Sequence, residues 1–306
     1  MSIVITGASG SYGRQVTELL LEKIPASQLI LVTRNPAALA PMAARGAQVR
    51  AGDFDKPEAL VAALAGAAKM LLISTLAVGT RRQKQHRAAV EAAAKAGVKH
   101  VVYTSSVGIH PKTPSLACSD HYVTEELLRR SGMAFTFLRD AQYAEIIATM
   151  IVPMAIQIGK LVMSTGDGPM AFVSKKDCVA CAAAVLTSPG HEGAAYEITG
   201  PALYTFADAA ALGAELSGKP VAYAAVTPEE KQAFFDAAGV PRAYADGLLN
   251  DDGTGVWGSE EMLSYERAIR ERYFSICSQH VQLLTGHSAR TLRDVFLANR
   301  AALTAS

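Results

Sequence analysis

Charge is scarce in this sequence and nearly balanced. Only 19% of the 306 residues are charged, and 29 basic against 28 acidic residues leave a net charge of +1. That excludes a general polyanion binder, which would carry a basic stripe. The one dense basic cluster, Arg81-Arg82-Gln83-Lys84, reads as the solvated start of a helix. Cysteine is rarer still, at 4. Cys118 and Cys277 stand apart. Cys178 and Cys181 lie in the alanine-rich run Asp177-Cys178-Val179-Ala180-Cys181-Ala182, where they read as two small core residues on neighbouring helical turns, not as a redox or zinc pair. No Cys and His set has metal-ligand spacing. A charged segment ahead of Ile3-Val4-Ile5 is lacking, so no signal peptide is expected. Long uncharged apolar runs are lacking too. Residues 59–79 contain Lys69 and turn at Gly66, and residues 146–159 are too short to span a bilayer and contain Pro153. The expectation is a cytoplasmic protein that binds neither nucleic acid nor membrane.

Hydrophobic residues are abundant, at 50% of a chain long enough to bury a full core. In the first half they alternate between strand and helix patterns. Apolar strand runs are expected at residues 3–6, 29–32, 48–51, 70–73, 100–104 and 134–138. Helices are expected at 14–23 (Val16, Leu19, Leu20 and Ile24 on one face), 36–45, 57–64, 83–96 and 121–130, several of them closed by glycine. Such alternation forces right-handed crossovers and a parallel sheet covered on both faces. The fold class expected is α/β, a doubly wound parallel sheet of the Rossmann type with a smaller, mostly helical C-terminal lobe. A helix over 176–186 and a strand over 196–199 return the chain to the main sheet. The nucleotide-binding domain is therefore read as residues 1–145 with 170–200, and the substrate lobe as 146–169 with 201–306.

A doubly wound sheet binds ligands at the carboxyl ends of its strands, and the candidate motifs all fall there. Gly7-Ala8-Ser9-Gly10-Ser11-Tyr12-Gly13 follows the first strand and enters the first helix. Gly7 permits the turn, Gly10 lets backbone approach a pyrophosphate, and Gly13 lets the helix lie close to the strand. The helix start adds free N–H groups and the positive end of a dipole. The spacing is G-x-x-G-x-x-G, not G-x-G-x-x-G. After the second strand, where an NAD enzyme carries an acid for the ribose hydroxyls, stands Thr33-Arg34-Asn35-Pro36. A guanidinium there suits a 2′-phosphate, so NADPH is expected over NADH. Asp53 would accept from the adenine amino group with Phe54 beside the ring; alternatively Asp53 and Asp55 cap the next helix. Ser74-Thr75 and Thr104-Ser105-Ser106 end the fourth and fifth strands, where hydroxyls would border the ribose and nicotinamide or serve the turns alone.

The glycine loop and Val32-Thr33-Arg34-Asn35-Pro36 resemble the NmrA-like group of atypical short-chain dehydrogenase/reductases. So do Leu71-Leu72-Ile73-Ser74, Gln85-His86-Arg87, Ala96-Gly97-Val98-Lys99, Asp120-His121-Tyr122-Val123-Thr124-Glu125 and Leu138-Arg139. The likeness continues through Gly166-Asp167-Gly168, Gly190-His191-Glu192-Gly193 and Leu284-Thr285-Gly286-His287, nearly the whole chain. It implies that Gly7, Ser9, Gly10, Ser11, Tyr12, Gly13 and Arg34 hold the coenzyme's phosphates. It implies also that Ser74, Thr75 and the Arg139-Asp140-Ala141 turn line the nicotinamide half, and that Tyr143 faces the substrate in a cleft. Two departures stand out: Asp140 replaces the usual Asn, and residues 249–283, with Trp257, Tyr265, Tyr273 and Phe274, form a longer segment.

The Tyr-x-x-x-Lys pair of typical short-chain dehydrogenases is missing. Tyr122 is followed four residues on by Glu126, and Tyr103 by Val107. That argues against alcohol dehydrogenation by the usual route. His121 and Glu125, one helical turn apart, would either relay a proton or anchor their helix. A quinone needs less help, because its reduced anion takes a proton from solvent. The uncharged residues 146–158, with Met150 and Met154, would supply an apolar wall for an aromatic acceptor, or else a core or homodimer helix. The expected activity is reduction of a quinone or similar conjugated acceptor by NADPH. The alternatives are a redox sensor that binds NADP without turnover, and a reductase of a dye, enone or aromatic ketone.

Overall fold

The computed structural model describes residues 2–243 and 257–304. The chain divides into two compact units. The first comprises residues up to Ser105, Asp120–Arg139 and Cys178–Tyr196; the second comprises Ser106–Ser119, Asp140–Asp177 and the described residues from Glu197 onward. Residues 106–119 and 140–145, grouped with the nucleotide domain from sequence, thus belong to the second unit, as do residues 170–177 and 197–200.

Seven strands form the main sheet in the order β3-β2-β1-β4-β5-β6-β8. They are β1 (Ile3–Thr6), β2 (Leu29–Thr33), β3 (Gln48–Ala51), β4 (Lys69–Leu72), β5 (His100–Ser106), β6 (Ala134–Asp140) and β8 (Ala194–Ile198), while β7 (Lys160–Met163) lies elsewhere. β1 pairs with β2 and β4, β2 with β3, and β4 with β5, all in parallel. β1, β2 and β4 are buried along their whole length, which is why their sequences are unbroken apolar runs. The helix Ser11–Leu21 joins β1 to the β2 side, and Thr80–Lys95 and Leu116–Arg130 join β4 to β5 and β5 to β6. Strand order therefore reverses between β1 and β4, the point where a doubly wound fold opens its ligand crevice. Thr6 staples that point: its hydroxyl donates to the Leu71 carbonyl at 3.1 Å and accepts the Ile73 N–H at 3.3 Å.

One face of the sheet packs Val4, Ile30, Val32, Met70, Leu72, Val101, Tyr103 and Phe137 against Leu60, Leu64, Ala89 and Ala93 of the flanking helices. At about 25 cal/mol per Å² of apolar surface removed from water, a cluster of this size supplies much of the unit's stability. Two short helices differ from expectation. Residues 36–45 and 57–64 each begin as 3₁₀ turns, Pro36–Leu39 and Pro57–Ala59, before α-helix takes over. Proline fixes the first residue's φ but removes the N–H that a longer α-turn would use.

The second unit holds a small parallel sheet that the sequence reading lacks. β7 pairs with β9 (Ala222–Ala225), Lys160 opposite Ala222 and Met163 opposite Ala225. The uncharged stretch 146–158 is helical, with a π-turn over Ile147–Ile151 leading into Val152–Ile158. Ile147, Ala148, Val152 and Ala155 face inward, while Met150 and Met154 are exposed. Gly213 on the helix Phe206–Ser217 lies so close that an added Cβ would stand 2.2 Å from Val152 Cγ1. Of the longer segment, residues 249–256 lie outside the described residues; the helix Ser259–Arg270 follows. Among the described residues, no helix is long and apolar enough to cross a membrane.

Candidate functional site

The glycine loop is a tight cradle. Gly7 has φ +61°, a left-handed conformation that favours glycine, and its carbonyl accepts the Gly10 N–H at 3.0 Å. An added Cβ on Gly13 would lie 2.6 Å from the Gly7 oxygen and 2.7 Å from Ala8 Cα, so helix and loop touch as only glycine allows. Gly10 stands at the helix N-cap and supplies no side-chain cap. Ser9 Oγ sits 2.7 Å from Thr33 Oγ1, which also accepts the Asn35 N–H. Arg14 holds the Ser9 carbonyl at 2.8 Å and the Ala38 carbonyl at 2.7 Å. Ser11 is exposed, but the Tyr12 ring is buried and its hydroxyl donates to the Cys178 carbonyl, so only backbone is offered at that position.

Beyond β2, Arg34 is exposed. Asp53 Oδ1 accepts the Asp55 N–H at 3.0 Å, closing a turn and capping no helix. Asp55 instead accepts from Arg81 and from Gln85, each at 3.0 Å. Burial opposes the ionisation of Asp55, but these bonds and the Arg81 and Arg34 charges outweigh it and hold the carboxyl below its ordinary range. Phe54 is half-buried and packs on the first unit's core.

At the ends of β4 and β5, Thr104 is buried and its hydroxyl accepts the Ser74 N–H at 2.9 Å. Ser105 is buried as well and donates to Glu125 Oε1 at 2.9 Å. Both hydroxyls are thus engaged beside the strand ends. Ser74 is half-buried. Thr75 Oγ1 is a buried atom without a hydrogen-bond partner among the described residues, and the Thr75 N–H donates to His86 Nε2 at 3.1 Å.

The expected pairing of His121 with Glu125 is absent. Glu125, fully buried, instead binds the Arg139 guanidinium through 2.9 and 2.7 Å bonds, and also Arg129 and Ser105. The two residues share a helix, but the carboxylate is drawn to β6, which brings the stronger partner. His121 Nδ1 lies 2.7 Å from the Tyr103 hydroxyl. Because Arg139 is engaged in this way, what its turn offers is chiefly backbone.

In the second unit, Asp140 and Ala141 are buried, and the Ala141 N–H donates to the Ile198 carbonyl. The Tyr143 hydroxyl donates to Asp140 Oδ2 at 3.1 Å, and Lys175 Nζ stands 5.4 Å from the centre of the Tyr143 ring. This tyrosine and lysine, 32 positions apart in the chain, meet in space, which no local spacing could reveal. Tyr265, from the longer segment, donates to Gln142 Oε1 at 3.0 Å and packs on Phe274, their ring centres 4.5 Å apart; Trp257 lies 5.9 Å from Tyr265.

The NAD(P)H-binding family model matches residues 7–189. Quinone oxidoreductase 2 of Escherichia coli is 39% identical over 82% of this chain and 86% of its own length. The NAD(P)H azoreductase of Xenophilus azovorans is 34% identical over 80% of the chain and 84% of its own. The solved structure of Citrobacter sp. triphenylmethane reductase complexed with NADP(H) superposes with a TM-score of 0.85 at 32% identity, covering 97% of this chain and 100% of that one.

Proposed function

From the premise that this chain belongs to the NAD(P)H-binding family, we propose that it is an NADPH-dependent reductase that transfers hydride to a quinone or similar conjugated aromatic acceptor. The observation that carries the coenzyme half is the loop of Gly7 to Gly13, pressed so tightly that no Cβ fits at Gly13, with a cationic and not an acidic residue beyond β2. The residues fit the group. The loop and the uncapped helix start would take the pyrophosphate, Arg34 the 2′-phosphate, and Asp53 with Phe54 the adenine. Ser74, the open hydroxyl of Thr75, and the backbone of Arg139-Asp140-Ala141 would border the nicotinamide. Bound NADPH supplies the hydride.

The acceptor half rests on the relatives, which act on a quinone, an azo compound and a triphenylmethane dye by their names. All three are conjugated acceptors that can take up a hydride. This chain's residues then need to orient and to hydrogen-bond, and Tyr143 is our choice of residue to face the acceptor. A cytoplasmic location is part of the reading.

The test is an acceptor screen that follows NADPH absorbance against 1,4-benzoquinones, azo dyes and triphenylmethane dyes. Turnover of at least one class with NADPH, and weaker turnover with NADH, is expected. Tight NADPH binding with no turnover of any acceptor would replace the reductase by a coenzyme-binding sensor. Unchanged turnover in Tyr143→Phe would remove that hydroxyl from the reaction.

A further inference from the structure

The carboxyl ends of β4 and β5 surround a hydrogen-bonded chain whose proton positions follow from its geometry. A backbone N–H can only donate, so His86 Nε2, 3.1 Å from the Thr75 nitrogen, is the bare nitrogen of its ring. The hydrogen of neutral His86 is therefore on Nδ1. That nitrogen lies 2.9 Å from Thr124 Oγ1, whose own hydrogen goes to the Asp120 carbonyl at 2.9 Å, so Thr124 receives from His86. The same Nδ1 lies 3.4 Å from the Tyr103 hydroxyl. The phenol also neighbours Ser74 and Thr124, but its shortest contact is His121 Nδ1, 2.7 Å away, and we assign its single hydrogen there. His121 Nδ1 thus accepts, and the hydrogen of neutral His121 sits on Nε2. His121 is only 8% exposed, yet among the described residues nothing bonds its Nε2.

Resting on the reductase reading above, we propose that His121 is a neutral hydrogen-bond donor whose Nε2–H meets the acceptor heteroatom that gains charge, with Tyr103, His86 and Thr124 as positioning residues that fix its tautomer. As hydride adds to the acceptor, an electron pair moves onto its oxygen or nitrogen. The Nε2–H bond stabilises that anion and the ring keeps its hydrogen; the product's proton comes from water. A fixed dipole aimed at developing charge in a dry site needs no reorganisation during the reaction.

The surroundings favour a neutral ring. Arg82 and His86 face it from the helix Thr80–Lys95, Tyr103 from β5, and Asp120 and Glu125 from its own helix. Burial first, then the Arg82 charge, pushes its pKa well below the ordinary value. The two carboxylates that would charge it are spoken for. Asp120 accepts the Gly79 N–H at 2.6 Å and the Gln83 amide at 2.7 Å, and Glu125 holds Arg139. The Tyr103 phenol is pushed above its ordinary range, chiefly by burial, so it keeps the hydrogen it lends.

Imidazole ¹⁵N shifts of the full-length protein, free of coenzyme and acceptor, test the tautomer directly. A neutral Nε2–H ring at position 121, unchanged from about pH 5 to 8, is expected; an Nδ1–H ring or an imidazolium at neutral pH overturns the proposal. Tyr103→Phe removes the donor to Nδ1, so the ring should become a tautomer mixture. In turnover, His121→Leu should lower kcat by about 100- to 1,000-fold with NADPH affinity unchanged, as for loss of one donor to a developing anion. His121→Gln, which keeps an N–H, should recover part of that. Unchanged kcat in His121→Leu also overturns the donor role. Absence of turnover in the unmodified protein sinks the reductase reading instead, and the ¹⁵N shifts then decide the tautomer by themselves.

Discussion

Glu125 and Arg139 face each other through two bonds, Nε to Oε1 at 2.9 Å and Nη2 to Oε2 at 2.7 Å, tying the helix Leu116–Arg130 to β6. The carboxylate is fully buried, the guanidinium partly exposed. Leaving a buried carboxylate short of its partner costs about 3–5 kcal/mol where no other cation can serve. Here Arg129 also reaches Oε2, at 3.2 Å, so the loss should be smaller. Arg139→Met is expected to lose about 1–3 kcal/mol, read as a lowered urea midpoint. An unchanged midpoint would show that Arg129 alone can hold the charge.

Gly13 should tolerate nothing larger than hydrogen. Its Cβ would press on the backbone of Gly7 and Ala8, which cannot rotate aside as a side chain could. Gly13→Ala must lift the helix from the loop by several tenths of an ångström, misaligning the N–H groups meant for the pyrophosphate. NADPH affinity, measured by calorimetry, is expected to fall at least about tenfold, equal to roughly 1.4 kcal/mol. Gly66→Ala is the control for stability, since its Cβ would meet nothing within 4 Å, although its φ of +84° carries strain of its own.

Much of this was legible because it is local. Buried parallel strands write themselves as apolar runs, and a glycine loop between strand and helix carries its own explanation. Arg34 was visible as the wrong charge for an NAD enzyme. What stayed hidden depends on pairing across the chain. β7 and β9 are four residues each, with the alanine-rich β9 hard to tell from helix, and they meet only in the folded second unit. His121 and Glu125 share a helical face, yet each bonds to a strand: Tyr103 on β5 and Arg139 on β6. Gln85-His86-Arg87 stood out as a family likeness without a role; its bonds to Thr75 and Thr124 give it one.

The buried histidines make stability depend on pH in one direction. Burial, aided by Arg82, pushes His86 from 6.5 down to about 3, and His121 and His100 move the same way. In the unfolded chain these rings take up protons first as pH falls. Their contribution is therefore complete above about pH 6.5 and is lost as pH falls from there toward the folded value. Each such group contributes a slope of at most about 1.4 kcal/mol per pH unit. Urea unfolding at pH 7, 6 and 5 should give falling midpoints, with a shallower fall in His86→Phe once its lower starting stability is allowed for. Midpoints constant from pH 7 to 5 would mean that these rings are as easily protonated in the fold as outside it.

Coenzyme choice should turn on Arg34. The residue is exposed, so its cation is hydrated in the free protein, and only a bidentate contact with a phosphate can repay that hydration. Arg34→Ala is expected to weaken NADPH binding about 10- to 100-fold, the range for a charge-assisted contact, while NADH affinity stays within about twofold. Asp55 tests the same field from the opposite sign. Its carboxylate binds Arg81 at 3.0 Å and feels the Arg34 charge, so it repels any phosphate that Arg34 attracts. Asp55→Asn should tighten NADPH more than NADH, and added salt should shrink that difference, because the groups are near the surface. Equal effects on both coenzymes in the two variants would place the 2′-phosphate away from the end of β2.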